Sequence, residues 1–311
     1  MRDGAGRSTY DAALERATQV DPPLRGRVCL VTGANRGIGK ATAIALARLG
    51  ATVVMLARDE RRLAEARDDA AHDSGNPHVS TVVADLASFA DVRAAALEIA
   101  TRHPALHVLV HNAGVNPTRR SLSSDGIELA FAVNHLAPFL LTYELMPSLR
   151  RGAADGGARV ITVTSVFERF GRPPLSLSDV RATGRWVAIL AYTRSKLANV
   201  LFTYELAERL AGTGVTVNCV DPGLVATDLM REHALFRPRW LRALWSRVLL
   251  APEAGARAAV YAASAPELAG VTGQCFDRHG RRVRTSRRSS DVELRRQLWR
   301  TSAELTGAGS E

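Results

Sequence analysis

A doubly wound α/β domain, with a parallel sheet of about seven strands and helices on both faces, is the fold class that the sequence predicts. Three observations predict it. Short apolar runs rich in β-branched residues alternate with stretches of helical apolar spacing from Arg27 to Val220, and such alternation implies a parallel sheet with right-handed crossovers. A glycine-rich turn, Gly33-Ala34-Asn35-Arg36-Gly37-Ile38-Gly39, stands between the first apolar run and the first helical stretch. Third, the polar residues that stand out fall at or just past the ends of the runs, and in open parallel sheets that edge is where ligands bind.

Taken in order, residues 1–25 read as a flexible N-terminal arm punctuated by Pro22-Pro23. Arg27–Thr32 is the first strand, and apolar spacing through Ala43, Ile44, Ala47 and Leu49 predicts a helix that Gly50 ends. Thr52–Ala57 and His78–Ala84 are the next strands, the latter running into Asp85-Leu86. A helix is expected over 88–102, then a strand over 106–111 closed by Asn112-Ala113-Gly114. One long helical region over 124–149 carries Asn134. Strand 159–165 ends at Ser165, and after a loop comes the helix of Tyr192 and Lys196. Strand 215–220 leads into Asp221-Pro222-Gly223, and Val292, Leu294, Leu298 and Trp299 predict a C-terminal helix over 291–305. The domain limits read from this are 26–277 for the globular part and 278–311 for a basic extension with a short helix.

Bulk properties narrow the function classes. The 311 residues are 46% hydrophobic, a globular composition with ample core. No stretch has the apolar length of a membrane span, and residues 1–25 lack the apolar segment of a signal peptide. Cys29, Cys219 and Cys275 lie far apart in apolar runs, neither a disulfide framework nor a metal pattern, and fit buried thiols of a cytoplasmic protein. The net charge of +10 favours anionic partners. Much of it sits in 278–288, which lacks the interleaved aromatics of a nucleic-acid surface and reads as solvated.

Tyr192 and Lys196 stand four residues apart on a helix, so both side chains leave one face. A fixed ammonium group favours the phenolate and is expected to lower the tyrosine's pKa into the range of general acid/base work. In isolation such a pair is commonly surface. The glycine turn, placed strand to helix, suits a pyrophosphate: glycines let the backbone approach, and the helix N-terminus offers N–H groups and a positive dipole end. Where an acidic residue would bind a ribose 2′-hydroxyl, this chain has Ala57 and then Arg58, with Arg36 in the loop. Guanidinium groups suit a 2′-phosphate, so NADP (NADPH) is expected over NAD.

With these residues in place, the chain resembles the short-chain dehydrogenase/reductase family from about Arg25 to Phe276, which implies a single Rossmann-type catalytic domain. Thr32 to Gly39 is similar to the family's cofactor motif, Asp85-Leu86 to its adenine-contacting pair, and Asn112-Ala113-Gly114 to its sheet-supporting segment. Pro222-Gly223 with Thr227 resembles the stretch that passes the nicotinamide. Asn134, Ser165, Tyr192 and Lys196 match its catalytic tetrad. The resemblance implies Tyr192 as proton donor and acceptor and Ser165 as the hydrogen-bond donor to the carbonyl oxygen. It implies further that Lys196 lowers the tyrosine's pKa and binds the nicotinamide ribose, and that Asn134 holds a relaying water. Segments 131–142 and 191–202 resemble the retinol-dehydrogenase-like branch, whose members act on lipophilic carbonyls and alcohols.

The interval from Ser165 to Tyr192 is long and holds Phe167, Phe170 and Trp186, which suggests a loop over the substrate pocket. In 224–250, Trp240, Leu241, Leu244, Trp245, Val248 and Leu249 form a helical apolar face with arginines opposite. A substrate lid is the favoured reading, ahead of ordinary core packing, with an interfacial helix on an anionic membrane last. The expectation is an NADP(H)-dependent oxidoreductase for a bulky apolar carbonyl or alcohol, with no nucleic-acid partner and with monomer and homodimer both open. Two rivals stay open: a nucleotide sensor or scaffold that keeps the fold without catalysis, and a charge-driven binder of membranes or nucleic acid.

Overall fold

The computed structural model describes residues 22–172, 180, 186–223, 225 and 250–309. Seven parallel strands form one sheet: β1 (Val28–Thr32), β2 (Thr52–Ala57), β3 (Val79–Val83), β4 (Val108–His111), β5 (Ala158–Val163), β6 (Val215–Val220) and β7 (Gln274–Phe276). Their order is β3-β2-β1-β4-β5-β6-β7. The chain winds outward from β1 in one direction, then returns to β4 and winds in the other, so the strand order reverses beside β1. That crevice is where such sheets take ligands.

The strands are apolar because both sheet faces are covered, as parallel sheets require. Alternation along β1 assigns the faces: Leu30 packs with Val54 and Leu56 in one core, while Cys29 and Val31 pack with Val53 and Met55 in the other. Helices α1 (Gly37–Arg48), α2 (Glu60–Ser74) and α7 (Pro252–Ser264) line the second face. Helices α3 (Phe89–Arg102), α4 (Leu129–Glu144), α5 (Met146–Ala154), α6 (Ala188–Arg209) and α8 (Val292–Thr306) line the first. Among the described residues no single helix is long and apolar enough to cross a membrane.

The single long helix expected over 124–149 is broken. Gly126, at φ 76°, closes a turn in which the Ser123 N–H meets the Ile127 carbonyl, so helix begins only at Leu129. The chain bends by 59° between Glu144 and Met146, where Pro147 opens α5 in the first turn that tolerates proline. Between these points α4 widens into a π-helical turn, Ala132–Leu136, which contains Asn134. Such turns are rare and concentrate at functional sites.

The fold starts earlier than the expected arm allows, and the expected C-terminal helix docks on the core. Leu24, placed in the flexible arm, is buried, and its N–H bonds the Leu49 carbonyl at 3.0 Å. Residues 1–21 lie outside the described residues. At the other end α8 belongs to the core: Trp299 stacks on Phe202 at 6.1 Å, meets Phe139 edge-on at 4.9 Å, and carries the Arg209 guanidinium 4.3 Å above its ring. Asp291 caps α8 by accepting from the Leu294 N–H, and Gly307 ends it in the left-handed conformation. The three cysteines are buried and free. Cys219 and Cys275, remote in sequence, are register partners across β6 and β7, and burial pushes the Cys29 thiol up to about 12.

Candidate active site

The glycine loop is shaped by close approaches that a side chain would block. Gly33 adopts φ 66°, and a Cβ there would stand 2.8 Å from the Ala113 Cα. At Gly39 a Cβ would meet the Gly33 carbonyl oxygen at 2.3 Å and the Asn112 Nδ2 at 2.4 Å. The loop is pinned to both neighbouring strands. Gly33 N–H donates to the Leu56 carbonyl of β2 at 2.8 Å, which brings the loop beside the exposed Arg58. Asn112 donates to the Thr32 carbonyl at 2.9 Å, and the Asn112 and Ala113 N–H groups both donate to the Thr32 hydroxyl at 3.1 Å. Asn112-Ala113 therefore fastens β4 to the loop through side-chain and main-chain bonds.

Arg36 is the N-terminal flanking residue of α1, in extended conformation, so its N–H neighbours Gly37, Ile38 and Gly39 open the helix toward the loop. Asn35 is half-buried in the same loop. Asp85 turns back on itself to accept from the Ala87 N–H at 3.0 Å, and Leu86 is buried under it. Past β6, Pro222 is buried and Gly223 takes φ 76°, its N–H held by the Asp221 carboxylate at 2.9 Å. Thr227, like most of the expected lid at 224–250, lies outside the described residues. So does most of the loop before Trp186, whose indole N–H donates to Glu128 at 3.3 Å.

On the other side of the crevice, the structure brings Asn134, Ser165, Tyr192 and Lys196 together from three elements, the last two sharing α6. Ser165 follows β5 and starts a 3-10 turn, Val166–Phe170. Its hydroxyl accepts from the Phe167 N–H at 3.5 Å and lies beside the Tyr192 phenol. Phe167 meets the Tyr192 ring edge-on at 6.4 Å, while Phe170 points outward, 69% exposed. Lys196 is buried, and its ammonium donates to the Val163 carbonyl at 3.0 Å. Its Nζ stands 5.6 Å from the Tyr192 ring centroid. Burial brings Lys196 down to about 8 from an ordinary 10.5, with the charge of Asp221 opposing.

Tyr192 departs from expectation. Burial pushes its phenol above the ordinary value of 10; the Ser165 hydroxyl opposes this, and the nearby Asp221 carboxylate adds to the rise. The ammonium meant to lower it is directed at Val163 instead, so burial outweighs it in this geometry. The phenol is thus protonated at neutral pH, the form that donates.

Asn134 is fully buried and heavily used. Its Oδ1 accepts from the Val115 N–H at 2.7 Å, and its Nδ2 donates to the Val115 carbonyl and the Ser195 hydroxyl, each at 2.9 Å. Both amide protons are spent, which leaves one lone pair of Oδ1 for any relay. Gly114, just before Val115, faces this oxygen and the lysine: a Cβ there would lie 3.5 Å from Asn134 Oδ1 and 3.7 Å from Lys196 Nζ.

Three residues of this network escaped the sequence reading. Ser195 joins Asn134 to the Tyr192 carbonyl at 2.8 Å; a serine on the inward face of a helix was the available signal. Thr164 bonds the Lys196 carbonyl at 3.0 Å, tying β5 to α6. Asp221 supplies the negative charge felt by Tyr192 and Lys196.

Comparison with known proteins agrees with this architecture. Residues 27–237 match the family model described as short chain dehydrogenase. The chain is 40% identical over 291 residues to a polyprenol dehydrogenase of Mus musculus, covering 93% of this chain and 86% of that one. It is 38% identical over 304 residues to retinol dehydrogenase 14 of Homo sapiens, covering 92% and 88%. Among solved structures, a short chain dehydrogenase from Shigella flexneri complexed with NADP superposes with a TM-score of 0.65 at 25% identity, over 83% of this chain and 99% of that one. With its seven-stranded sheet and crevice, the chain belongs to the short-chain dehydrogenase/reductase family of oxidoreductases, which act on alcohols and carbonyls, in the branch that resembles retinol dehydrogenases.

Proposed function

We propose that the protein is an NADP(H)-dependent oxidoreductase that interconverts a bulky lipophilic carbonyl and its alcohol, with Tyr192 as the general acid and base. The observation that carries this is the meeting of a half-buried phenol, a hydroxyl and a buried ammonium from Tyr192, Ser165 and Lys196 at the C-terminal edge of the sheet, opposite the glycine loop. A binder without chemistry has no use for a costly buried ammonium beside a tyrosine.

The residues present fit a dinucleotide. Close backbone approach at Gly33 and Gly39 leaves a cradle without side chains at the N-terminus of α1, where N–H groups and the helix dipole favour phosphate. Arg36 and Arg58 flank that cradle and are exposed, suited to a 2′-phosphate. Asp85, Leu86, Asn112, Ala113, Gly114, Pro222 and Gly223 continue the edge toward Tyr192. The bound nicotinamide supplies the hydride in reduction and accepts it in oxidation. The protein's own work is proton transfer and charge control. Ser165 donates to the carbonyl oxygen and holds the charge that develops there. Tyr192, protonated at neutral pH, delivers the proton. Lys196, next to the ring and cationic below about pH 8, stabilises the phenolate left behind. Apolar Phe167 against Tyr192 points to an apolar substrate, in keeping with relatives named for retinol and polyprenol.

The test uses a panel of bulky apolar ketones and aldehydes beside small charged ones, with NADPH and NADH compared. NADPH is expected to bind at least about ten-fold tighter than NADH, and the double variant Arg36→Ala/Arg58→Ala to lose that preference without changing NADH affinity. Equal dissociation constants for the two cofactors in the wild type sink the cofactor assignment; faster turnover of the small charged substrates sinks the substrate class.

A further inference from the structure

The segment after β7 was expected to be solvated surface. Its arginine side chains are exposed, yet its backbone is docked on the turn that follows Ser165. Glu168, in that turn, is only 3% exposed. Its Oε1 accepts from the Ser286 N–H at 2.8 Å, while Oε2 is buried without a partner. Arg288 donates to the Gly171 carbonyl at 2.8 Å, and Arg169 donates to the Arg284 carbonyl at 2.8 Å. The same segment is anchored to α6: the Tyr204 and Thr285 hydroxyls share a bond of 2.9 Å, and Thr285 shares another of 2.7 Å with the fully buried Ser289. Gly171 completes the connection. A Cβ there would lie 2.3 Å from the Thr193 carbonyl oxygen and 2.8 Å from the Leu197 Cβ, so the end of the turn sits directly on the helix that carries Tyr192 and Lys196.

A buried carboxyl is costly unless donors offset the loss of water, and an apolar side chain would fill the same space at lower cost. Burial indeed pushes the Glu168 carboxyl above its ordinary range, opposed by Ser286 and by the charge of Arg169. The Glu168 N–H also donates to the Ser165 carbonyl at 2.9 Å, so whatever holds Glu168 holds Ser165.

We propose that residues 284–288 clamp the Ser165 turn against α6, with Glu168 as the positioning residue through which the clamp fixes Ser165 relative to Tyr192. The clamp rests on the proposed roles of Ser165 and Tyr192, and its experiment has a readout that does not need turnover. Glu168→Ala frees the turn; Glu168→Gln keeps an oxygen for the Ser286 N–H; Arg169→Ala/Arg288→Ala cuts the two outer ties without touching buried residues. In Glu168→Ala, kcat with an apolar ketone falls by about 10- to 100-fold, as misplacement of a reacting group does, while the KM for NADPH holds. Glu168→Gln recovers most of that loss, and the double arginine variant shows a smaller fall in kcat at an unchanged melting temperature. Hydrogen exchange at the amides of Phe167 to Gly171 speeds up in the alanine and the double arginine variants.

Unchanged kcat and unchanged exchange overturn the clamp. So does a joint fall of kcat, NADPH affinity and melting temperature that Glu168→Gln does not rescue, since that marks a purely structural residue. If Glu168→Ala does not fold, the double arginine variant decides by the same two readouts. If the wild type reduces no carbonyl, the proposed function fails, and exchange alone decides the clamp: equal rates overturn it.

Discussion

Lys196→Met is expected to lower kcat by about 10²- to 10⁴-fold, the range that a proton-transfer partner contributes, and to change how stability depends on pH. The ammonium is buried, hydrogen-bonded to the Val163 carbonyl and brought down to about 8 from 10.5. Below about pH 8 it is charged in the native and the unfolded chain alike, and the native state carries the whole cost of burying the charge. Between pH 8 and 10.5 the unfolded lysine still binds a proton that the native one has lost, so native stability rises with pH. Over that window the wild type should gain roughly 3 kcal/mol that the methionine variant does not. Methionine leaves the Val163 carbonyl without its donor, which costs about 1–3 kcal/mol at every pH. That offset cancels when only the change with pH is read. Urea unfolding of both proteins across pH 7 to 10.5, within the range where the fold is intact, measures it; a difference that stays constant with pH contradicts the assigned burial cost.

Gly39→Ala is the second large effect, and its cause is geometric. The new methyl group would stand 2.3 Å from the Gly33 carbonyl oxygen and 2.4 Å from Asn112 Nδ2. The first of these is backbone in a loop fastened at Leu56 and Asn112, so it cannot move aside cheaply. Overpacking of this kind costs about 1–3 kcal/mol or more, and the displaced loop should lower NADPH affinity by over about ten-fold. Gly75→Ala is the comparison. Gly75 also adopts a positive φ, 68°, but a Cβ there meets nothing within 4 Å. It should cost only the left-handed strain of about 1–2 kcal/mol and leave NADPH binding alone. Equal losses of NADPH affinity in the two variants would refute the close-approach account of the loop.

The contrast between these glycines shows what was legible from the amino acids. Gly33, Gly37 and Gly39 announced themselves because spacing, a preceding β-branched run and a following helical period agreed, each set by local sterics. The strand edges carrying Asp85, Asn112, Ser165 and Pro222 were readable for the same reason, since buried parallel strands stand out as apolar runs with polar ends. Tyr192 and Lys196 followed from helical spacing, and the tetrad from family resemblance. What stayed hidden depends on contacts between distant segments. The π-helical turn around Asn134 leaves no period of its own. The work of Asn134, holding Val115 and Ser195, is set by tertiary placement. The rise of the Tyr192 pKa reflects how deeply α6 is buried, which a pair of residues cannot reveal. Cys219 meets Cys275, and Glu168 meets Ser286, only because β7 lays the C-terminal segment beside β6 and the Ser165 turn. A run of arginines reads as solvent-facing, and most of its side chains are; the docking comes from its backbone, from Thr285 and Ser289, and from Arg288 on the Gly171 carbonyl.

The most direct test of the central claim compares NADPH oxidation by the wild type and by Tyr192→Phe, with a bulky apolar ketone as acceptor and NADPH dissociation constants measured alongside. Phenylalanine keeps the ring against Phe167 and removes only the hydroxyl beside Ser165. The account predicts equal NADPH affinity and a kcat lower by about 10²- to 10⁴-fold in the variant. Turnover by Tyr192→Phe at the wild-type rate would contradict it.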